Sequence, residues 1–340
     1  MKKTVVVFLA VLMLSVSASA KPKVEFKQGD KKIDVLVGGK LFTTYRYSDK
    51  LPEPTFVPLR TPSGIEVTRR NPLTELRGGT DDHVHHVGLF FRVDNVNGTR
   101  FWNYHKGKRD GQVPQIKHVK NQFTGGEGRG TLSVVSQWIG KRGDFVLEEK
   151  KTAVFIAGDN PDEYAIDFSI DLTAQKEKVT FEDIEEGMFA VRYADCLREN
   201  RRNKMIRPGQ PIPKESIKGT GMYFSSNGDE TADNVWGKRA RWVAIQGVRQ
   251  DKVVGIAILN HPQSINYPTY WHARDYGLFS ANPLGQGDFQ RQQDDKKNRV
   301  IPLNLTLNPG ETVHFRFLVI AYEGVRTAEQ IQQRFKTFVK

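Results

Sequence analysis

Residues 163–172, EYAIDFSIDL, decide the fold class of this chain. From Tyr164 to Leu172 every second residue is apolar, and the residues between them are alanine, serine or aspartate. A helix would place apolar residues at spacings of three and four, whereas successive side chains of a strand point to opposite faces. The segment therefore predicts a β-strand with one buried face and one more polar face.

Similar short apolar segments fill most of the chain, and turns rich in Gly, Pro, Asp and Asn separate them. Residues 64–69 and 300–307 are among the predicted strands, and Asn97-Gly98 predicts a tight hairpin turn. Because no helices alternate with the strands, we expect an all-β fold. The size of the chain favours a large antiparallel two-sheet β-supersandwich.

Residues 327–340 form the one segment that predicts a helix. Thr327 is suited to cap its N-terminus, and Ile331, Phe335 and Val339 recur at spacings of four on one face. We therefore expect a short C-terminal helix packed on the sandwich.

The N-terminus predicts an export signal. Lys2-Lys3 precede an apolar run from Val5 to Val16, and Ala18-Ser19-Ala20 supply small residues for cleavage. We expect residues 1–20 to be a signal peptide cleaved near Ala20, and residues 21–340 to form a single periplasmic or secreted domain. No later segment approaches about 18 consecutive apolar residues, so we expect no membrane-spanning helix after the signal peptide. This expectation excludes an integral membrane enzyme such as a membrane methane oxygenase.

Charge and cysteine content exclude other classes of protein. The net charge of +12 is dispersed along the chain, and no nucleic-acid-binding motif accompanies it. Cys196 is the single cysteine, so no intramolecular disulfide can form. We predict a small-molecule partner rather than nucleic acid or a membrane.

A histidine cluster at residues 81–86, DDHVHH, holds three of the eight histidines. Histidine titrates near neutrality, so the cluster suggests acid–base chemistry or metal binding. If the segment is extended, His83 and His85 share one face and would contact a ligand or metal. Asp82 and His86 would then support them from the other face. The alternative is a solvated polar turn.

A second dense segment, residues 260–283, mixes aromatic rings with polar groups. Rings of this kind stack on sugars while amides, guanidinium groups and carboxylates bind hydroxyls. A packed corner of the fold is the alternative. The candidate substrate-binding residues here are Trp271, Arg274, Asp275, Tyr276 and Asn282.

Further candidates come from two shorter segments. Glu185-Glu186 enter a predicted strand, and Glu186 would serve as a general base if burial or a histidine tunes its pKa; a solvated turn is the alternative. Arg192, in the strand that follows the two glutamates, and Arg69, within residues 62–70, are additional candidates for substrate binding. An ordinary exposed strand is the alternative for residues 62–70.

Several motifs together resemble the PmoA-like family of exported bacterial proteins of unknown function. The resemblance covers residues 56–324 and departs from the family at Val84, where Pro is expected. It implies a β-supersandwich similar to that of galactose mutarotases, whose usual ligands are sugars. The motifs are Leu59-Arg60-Thr61-Pro62-Ser63-Gly64, Val67-Thr68-Arg69, Asp82-His83-x-His85-His86, Gly88-Leu89, Val96-Asn97-Gly98, Phe101-Trp102, Glu186-Gly187 and Tyr270-Trp271-His272-x-Arg274-Asp275-Tyr276-Gly277-Leu278.

Two functional hypotheses follow. The first is a carbohydrate epimerase, hydrolase or lyase in which Glu186 is the base and His83, His85 or His272 the acid. Its metal-assisted variant uses His83 and His85 with His261 or His272 to bind Zn, Mn or Fe. The second hypothesis is a non-catalytic periplasmic carbohydrate-binding protein.

Overall fold

The computed structural model describes residues 20–70, 72–74, 79–102, 114–200, 202–293 and 300–340. The predicted signal peptide lies outside these residues except for Ala20, so export remains a prediction. The described residues form 21 strands and three α-helices.

The strands of the first half of the chain are β1 Lys23–Gly29, β2 Lys32–Val37, β3 Lys40–Arg46, β4 Thr55–Leu59, β5 Leu89–Val93, β6 Asn95–Val96, β7 Thr99–Arg100, β8 Gln115–Thr124, β9 Gly126–Glu127, β10 Arg129–Ile139 and β11 Phe145–Ile156. Those of the second half are β12 Glu163–Ala174, β13 Val179–Thr180, β14 Gly187–Arg192, β15 Met222–Ser225, β16 Trp242–Arg249, β17 Lys252–Asn260, β18 Tyr270–Arg274, β19 Leu278–Asn282, β20 Thr306–Leu307 and β21 Thr312–Glu323. The helices are α1 Ala232–Val235, α2 Gln286–Gln293 and α3 Ala328–Phe338, and Asp195–Leu197 form a 3-10 turn.

Two large sheets dominate the fold. Sheet A has nine strands in the order β18-β19-β14-β5-β4-β3-β2-β1-β9, and sheet B has eight in the order β15-β16-β17-β21-β12-β11-β10-β8. The strand pairs within both sheets are antiparallel. The predicted all-β fold with two large antiparallel sheets is therefore confirmed.

The sheets face each other across one apolar core. Phe168 of β12 packs on Phe56 of β4 with ring centroids 5.2 Å apart, and Phe317 of β21 stacks on Phe189 of β14 at 4.5 Å. Within β12, Phe168, Ile170 and Leu172 are buried while the residues between them are partly exposed. The alternation that the sequence predicts thus directs one face of β12 into the core.

Helix α3 covers the opposite face of sheet B. Thr327 accepts a hydrogen bond from the Gln330 backbone N–H, and the Gln330 side chain accepts one from the Thr327 backbone N–H. Ile331 and Phe335 are buried against Leu318 and other apolar residues of sheet B. The predicted cap and apolar face are confirmed.

Three local predictions had different outcomes. The Asn97-Gly98 turn joins β6 to β7, and both residues have positive φ, as such a turn requires. The strand predicted at 64–69 is wrong, because this segment makes only isolated bridges such as Thr68 to Tyr193. The strand predicted at 300–307 is reduced to Thr306–Leu307.

Two further features concern the chain as a whole. Among the described residues, the helices are all too short or too polar to cross a lipid bilayer.

Cys196 is buried, and burial raises the pKa of its thiol to about 12, which leaves the thiol protonated and unreactive.

Candidate functional site on the outer face of sheet A

Four neighbouring strands of sheet A bring most of the predicted site residues to one surface. The strands β18, β19, β14 and β5 are neighbours in sheet A and pair antiparallel. His272 of β18 pairs with Ser280 of β19, and Phe279 of β19 pairs with Val191 of β14. Side chains that point away from sheet B form what we call the outer face. This face includes His272, Arg274 and Arg192.

Trp271 points in the opposite direction, into the core. Its side chain is fully buried among core residues, and its indole N–H donates to the Ala240 carbonyl at 2.9 Å. The prediction that Trp271 stacks on a ligand is therefore wrong. The alternation along β18 explains the difference, since adjacent residues of a strand lie on opposite faces.

The histidine cluster is a turn that precedes β5. His83 has a positive φ of 45°, and the His86 backbone N–H donates to the His83 carbonyl at 2.9 Å. The segment is therefore not extended, and the predicted division into two faces is wrong. Instead, Asp82 and His83 contact each other directly.

Two buried arginines hold Asp82. The Arg192 side chain is completely buried and donates to both carboxylate oxygens, at 2.8 and 3.1 Å. Arg69 donates to the backbone carbonyls of Asp82 at 2.7 Å and His83 at 3.0 Å. Both arginines were predicted to bind substrate. Both residues are buried, with exposed fractions of 3% or less, and their contacts are to the protein itself. They are therefore suited to positioning Asp82 rather than to binding a substrate.

Asp82 and His83 form a charge-assisted pair at the surface. Nδ1 of His83 lies 2.6 Å from Oδ2 of Asp82, and the side chains are 43% and 37% exposed. Partial burial alone would raise the pKa of Asp82. The hydrogen bond from His83 and the charges of Arg192 and Arg69 outweigh this effect, so the pKa of Asp82 is lowered. An ionised Asp82 accepts the Nδ1–H and leaves Nε2 of His83 with a lone pair.

Aromatic contacts fix the orientation of the His83 ring. It stacks on Tyr276 with centroids 4.7 Å apart and planes within 1°, and on His86 at 5.1 Å and 10°. The Arg192 guanidinium lies 4.9 Å from the centroid of the Tyr276 ring. Tyr276 thus packs against protein groups, and its contacts favour a role in positioning His83.

The other two histidines of the cluster differ in exposure. His86 is buried against Phe90 and Trp102, and burial lowers its pKa well below the usual value, so the ring is neutral. His85 is half-buried, with its ring centroid 4.2 Å from that of His86. His86 therefore packs beneath the cluster, while His85 is partly accessible.

A second group on the outer face consists of Arg274, His272 and Glu185. Nδ1 of His272 lies 3.0 Å from the Glu185 carbonyl, and Nε of Arg274 donates to Nε2 of His272 at 2.7 Å. The Arg274 guanidinium also contacts the Glu185 carboxylate at 3.3 Å. Since Nδ1 must donate to the carbonyl and Nε2 accepts from Arg274, both nitrogens of His272 are engaged.

His272 is therefore unsuited to the roles predicted for it. Burial lowers its pKa to about 3, with help from the charge of Arg274, so the ring is neutral near pH 7 and its one N–H proton is bonded to the Glu185 carbonyl. Its Nε2 lone pair is committed to Arg274, which also conflicts with metal binding. The contacts of His272 fix the positions of Arg274 and Glu185.

The two adjacent glutamates have different surroundings. Glu185 contacts Arg274, and burial raises its pKa although the charge of Arg274 opposes the effect. Burial and the negative charge of Glu185 also raise the pKa of Glu186, which lies closer to Asp94 and Arg100. The sequence predicted Glu186 as the base, but the carboxylate beside His272 and Arg274 is that of Glu185.

Three other predicted residues lie apart from this surface or are engaged elsewhere. The Asn282 amide is buried and donates to the carbonyls of Ile184 and Glu185. Asp275 is exposed in the turn after β18. His261 packs against Phe338 of α3, with ring centroids 4.9 Å apart.

These positions bear on the predicted metal site. Among the described residues, histidines, cysteines and carboxylates form no group of three suited to a metal ion. His261 packs on α3, His272 has no available nitrogen, and His83 directs Nδ1 to Asp82. The described structure therefore does not bring His83, His85, His261 and His272 together as the metal site that the sequence predicted.

Two buried charged residues near the histidine turn, Arg92 and Glu53, were not among the predicted site residues. Arg92 stands within the apolar strand β5, and its guanidinium contacts the Glu53 carboxylate at 2.7 Å and the His85 carbonyl at 3.1 Å. Glu53 lies between two prolines, Pro52 and Pro54. An ionisable residue inside an apolar strand requires a partner, and Arg92 was such a signal.

The chain matches a family model along most of its length. The model describes a family of unknown function, DUF6807, and matches residues 32–336. The chain belongs to the DUF6807 family. No curated protein is significantly similar to this DUF6807 chain in sequence. The description of the matched family does not mention the PmoA-like family that the sequence motifs resemble.

Three solved structures show a distant likeness to this DUF6807 protein. Heparan sulfate lyase HepC from Pedobacter heparinus is 9% identical with a TM-score of 0.38, over 91% of this chain and 36% of that one. The galactosidase domain of the α-galactosidase-sucrose kinase AgaSK is 12% identical with a TM-score of 0.39, over 88% and 42%. A protein of Escherichia coli K12 assigned as an aldose 1-epimerase is 9% identical with a TM-score of 0.34, over 89% and 99%.

The DUF6807 chain thus spans less than half the length of the first two of these structures. All three are carbohydrate-active proteins by description, but their low identities and TM-scores assign no activity to this chain.

Proposed function

We propose that this DUF6807 protein is an exported carbohydrate-active enzyme in which His83 transfers a proton to or from a bound sugar. The observation that carries the proposal is the Asp82–His83 pair. Its hydrogen bond is 2.6 Å long, its carboxylate is held by buried arginines, and its imidazole is 43% exposed. Such a pair is suited to proton transfer with a surface-bound substrate.

In this proposal Asp82 sets the tautomer of His83. The carboxylate accepts the Nδ1–H, so Nε2 of the neutral ring can take a proton from a substrate hydroxyl or carbon. The imidazolium that forms is stabilised by the negative charge of Asp82. Within the part of the chain that the structure describes, Nε2 of His83 has no hydrogen-bond partner. The stacked rings of Tyr276 and His86 keep this edge in a fixed direction.

The Arg274–Glu185 pair supplies the second half of the proposed site. The Arg274 side chain is 37% exposed, so its guanidinium can donate hydrogen bonds to sugar hydroxyls. The raised pKa of Glu185 makes its carboxyl a candidate proton donor. A histidine base and a carboxyl acid would support epimerisation, elimination or hydrolysis, which are the reaction types that the sequence suggests.

The decisive experiment is a product screen with a matched control variant. The mature protein is incubated with a panel of glycosides and keto-sugars, and products are followed by NMR. We expect His83→Gln to lower the rate by about 100-fold or more. His314→Gln is the control, because His314 forms a similar 2.7 Å pair with Asp171 on sheet B. The control is expected to keep the wild-type rate.

Two outcomes would overturn the enzymatic proposal. If His83→Gln keeps the wild-type rate, the proton transfer does not pass through His83. If sugars bind but no product forms, the protein is the alternative, a non-catalytic carbohydrate-binding protein. The Arg274–Glu185 pair favours that alternative, since it can bind hydroxyls without any chemical step.

A further inference from the structure

The buried carboxylate of Asp195 binds the chain just before the histidine turn. Asp195 begins the 3-10 turn that follows β14. Its Oδ2 accepts a hydrogen bond from the Thr80 backbone N–H at 3.0 Å, and its Oδ1 accepts one from the Thr80 hydroxyl at 2.6 Å. The two bonds hold both the backbone and the side chain of Thr80, which stands two residues before Asp82.

The Thr80 hydroxyl also contacts both buried arginines. Its oxygen accepts hydrogen bonds from Nη1 of Arg69 and from Nη2 of Arg192, each at 3.4 Å. A hydroxyl can donate one hydrogen bond and accept two. Thr80 uses its donor for Asp195 and its acceptor sites for the two arginines, so it joins Asp195 to the groups that hold Asp82.

The charges at this place require more than one carboxylate. Burial lowers the pKa of Arg69 to about 10, and the positive charge of Arg192 contributes to the decrease. The negative charges of Asp82, Asp195 and the exposed Asp81 oppose it. Buried cations of like sign are stable only when opposite charges compensate them. Asp195 therefore adds to the negative charge that Asp82 supplies.

The position of Thr80 bears on the Asp82–His83 pair. The two arginines hold Asp82, and Asp195 holds Thr80, so the segment that leads to His83 is fixed at two points. The neutral imidazole keeps its proton on Nδ1 because the Asp82 carboxylate accepts a hydrogen bond there, at 2.6 Å. A displacement of Thr80 would move Asp82 relative to the ring and weaken this bond.

We propose that Asp195 and Thr80 are positioning residues that keep the Asp82 carboxylate on Nδ1 of His83 and thereby fix the tautomer of His83. The importance of this tautomer for a reaction rests on the proposed function, but the tautomer can be measured without any substrate. Both residues act through the arginines and Asp82.

The test measures the tautomer of His83 by nitrogen NMR. The mature protein is labelled with 15N-histidine, and spectra are recorded at about pH 8.5, where imidazoles are mostly neutral. Protonated and unprotonated ring nitrogens have different chemical shifts, and His83→Gln assigns the signals of His83. Thr80→Val removes the hydroxyl and nearly keeps the shape of the side chain, whereas Thr80→Ser keeps the hydroxyl.

Asp195→Asn removes the negative charge and one acceptor. Asp183→Asn is its matched control, because Asp183 and Asp195 are 9% and 8% exposed. The Asp183 carboxylate likewise accepts backbone hydrogen bonds, from Gly287 at 2.7 Å and Leu303 at 2.6 Å. A general loss of stability should therefore affect both asparagine variants.

We expect the wild type, Thr80→Ser and Asp183→Asn to hold His83 mainly as the Nδ1–H tautomer. Thr80→Val and Asp195→Asn should each lower the population of this tautomer by about twofold or more. Wild-type populations in these two variants would overturn the inference, as would an equal loss in Asp183→Asn.

The proposed function fails by a different result. If turnover depends on His83 but Thr80→Val and Asp195→Asn keep the wild-type tautomer, only the positioning role is rejected. If the tautomer shifts as expected but no sugar is converted, the positioning role stands and the proposed enzymatic reaction is rejected.

Discussion

At the scale of single residues, burial and partners decide which arginine acts in the site. Arg69 and Arg70 are adjacent in the chain, but the Arg69 side chain is 2% exposed beside Asp82 while that of Arg70 is 40% exposed beside Glu66. Composition cannot distinguish the two. Their different roles follow from which side chain faces the histidine turn.

The buried Arg192 supports a first stability prediction. Arg192→Met removes two hydrogen bonds to Asp82 and leaves the carboxylate with fewer positive partners. We expect the free energy of unfolding to fall by roughly 2–3 kcal/mol. The loss is moderated by solvent, since the Asp82 side chain is 37% exposed. Urea denaturation measures the change.

Arg70→Met is the control for this prediction. Arg70 pairs with Glu66 at 2.6 Å, but it is 40% exposed, and surface pairs contribute little. We expect a change of about 0.5 kcal/mol or less. Equal losses in the two variants would contradict the role assigned to Arg192.

At the scale of secondary-structure elements, the passage from the histidine turn to β5 depends on Gly88. Gly88 has a positive φ of 62°, and a Cβ at this position would lie 2.4 Å from the Phe56 carbonyl oxygen. The backbone of β4 therefore leaves no space for a side chain. Gly88 allows the turn to approach β4 closely and to place His83 beside Tyr276.

We expect Gly88→Ala to destabilise the protein by roughly 3 kcal/mol or more, because both backbone strain and a steric clash oppose alanine. Gly64→Ala is the control, since Gly64 also has a positive φ, of 91°, but no heavy atom lies within 4 Å of the added Cβ. Strain alone should cost the control about 1 kcal/mol. Similar melting temperatures for the two variants would show that β4 can move aside.

At the scale of the whole molecule, a few buried charges make stability depend on pH. Burial raises the pKa of Glu53 from 4.5 to about 7, although Arg92 and Lys151 oppose the effect. Between these two values, the folded protein holds a proton that the unfolded chain has released. Glu53 therefore contributes less stability as the pH rises from about 4.5 to about 7.

The corresponding prediction uses Glu53→Gln. The free energy of unfolding of the wild type, relative to that of this variant, should fall by roughly 3 kcal/mol between pH 4.5 and pH 8. Urea denaturation at a series of pH values measures the difference. Glu66→Gln should show no such change over this range, because the pKa of Glu66 is lowered by Arg70 and Arg60 despite burial. Parallel curves for wild type and Glu53→Gln would reject the shift.

The sequence by itself determined many of the strands, the C-terminal helix and the chemical groups available to the site. The period of two in β12, the Asn97-Gly98 turn and the Thr327 cap are local patterns, because neighbouring residues along the chain set the backbone conformation. The cluster of histidines and the presence of arginines and carboxylates were equally visible.

Only the tertiary structure decided which side chains face the site and which partners they meet. Arg192 bonds to Asp82 across 110 residues, and His272 bonds to the Glu185 carbonyl across 87. Trp271 faces the core while His272 faces outward, although both suggested a sugar site. The physical reason is that sheet register joins distant strands, and a shift of one residue moves every side chain to the opposite face.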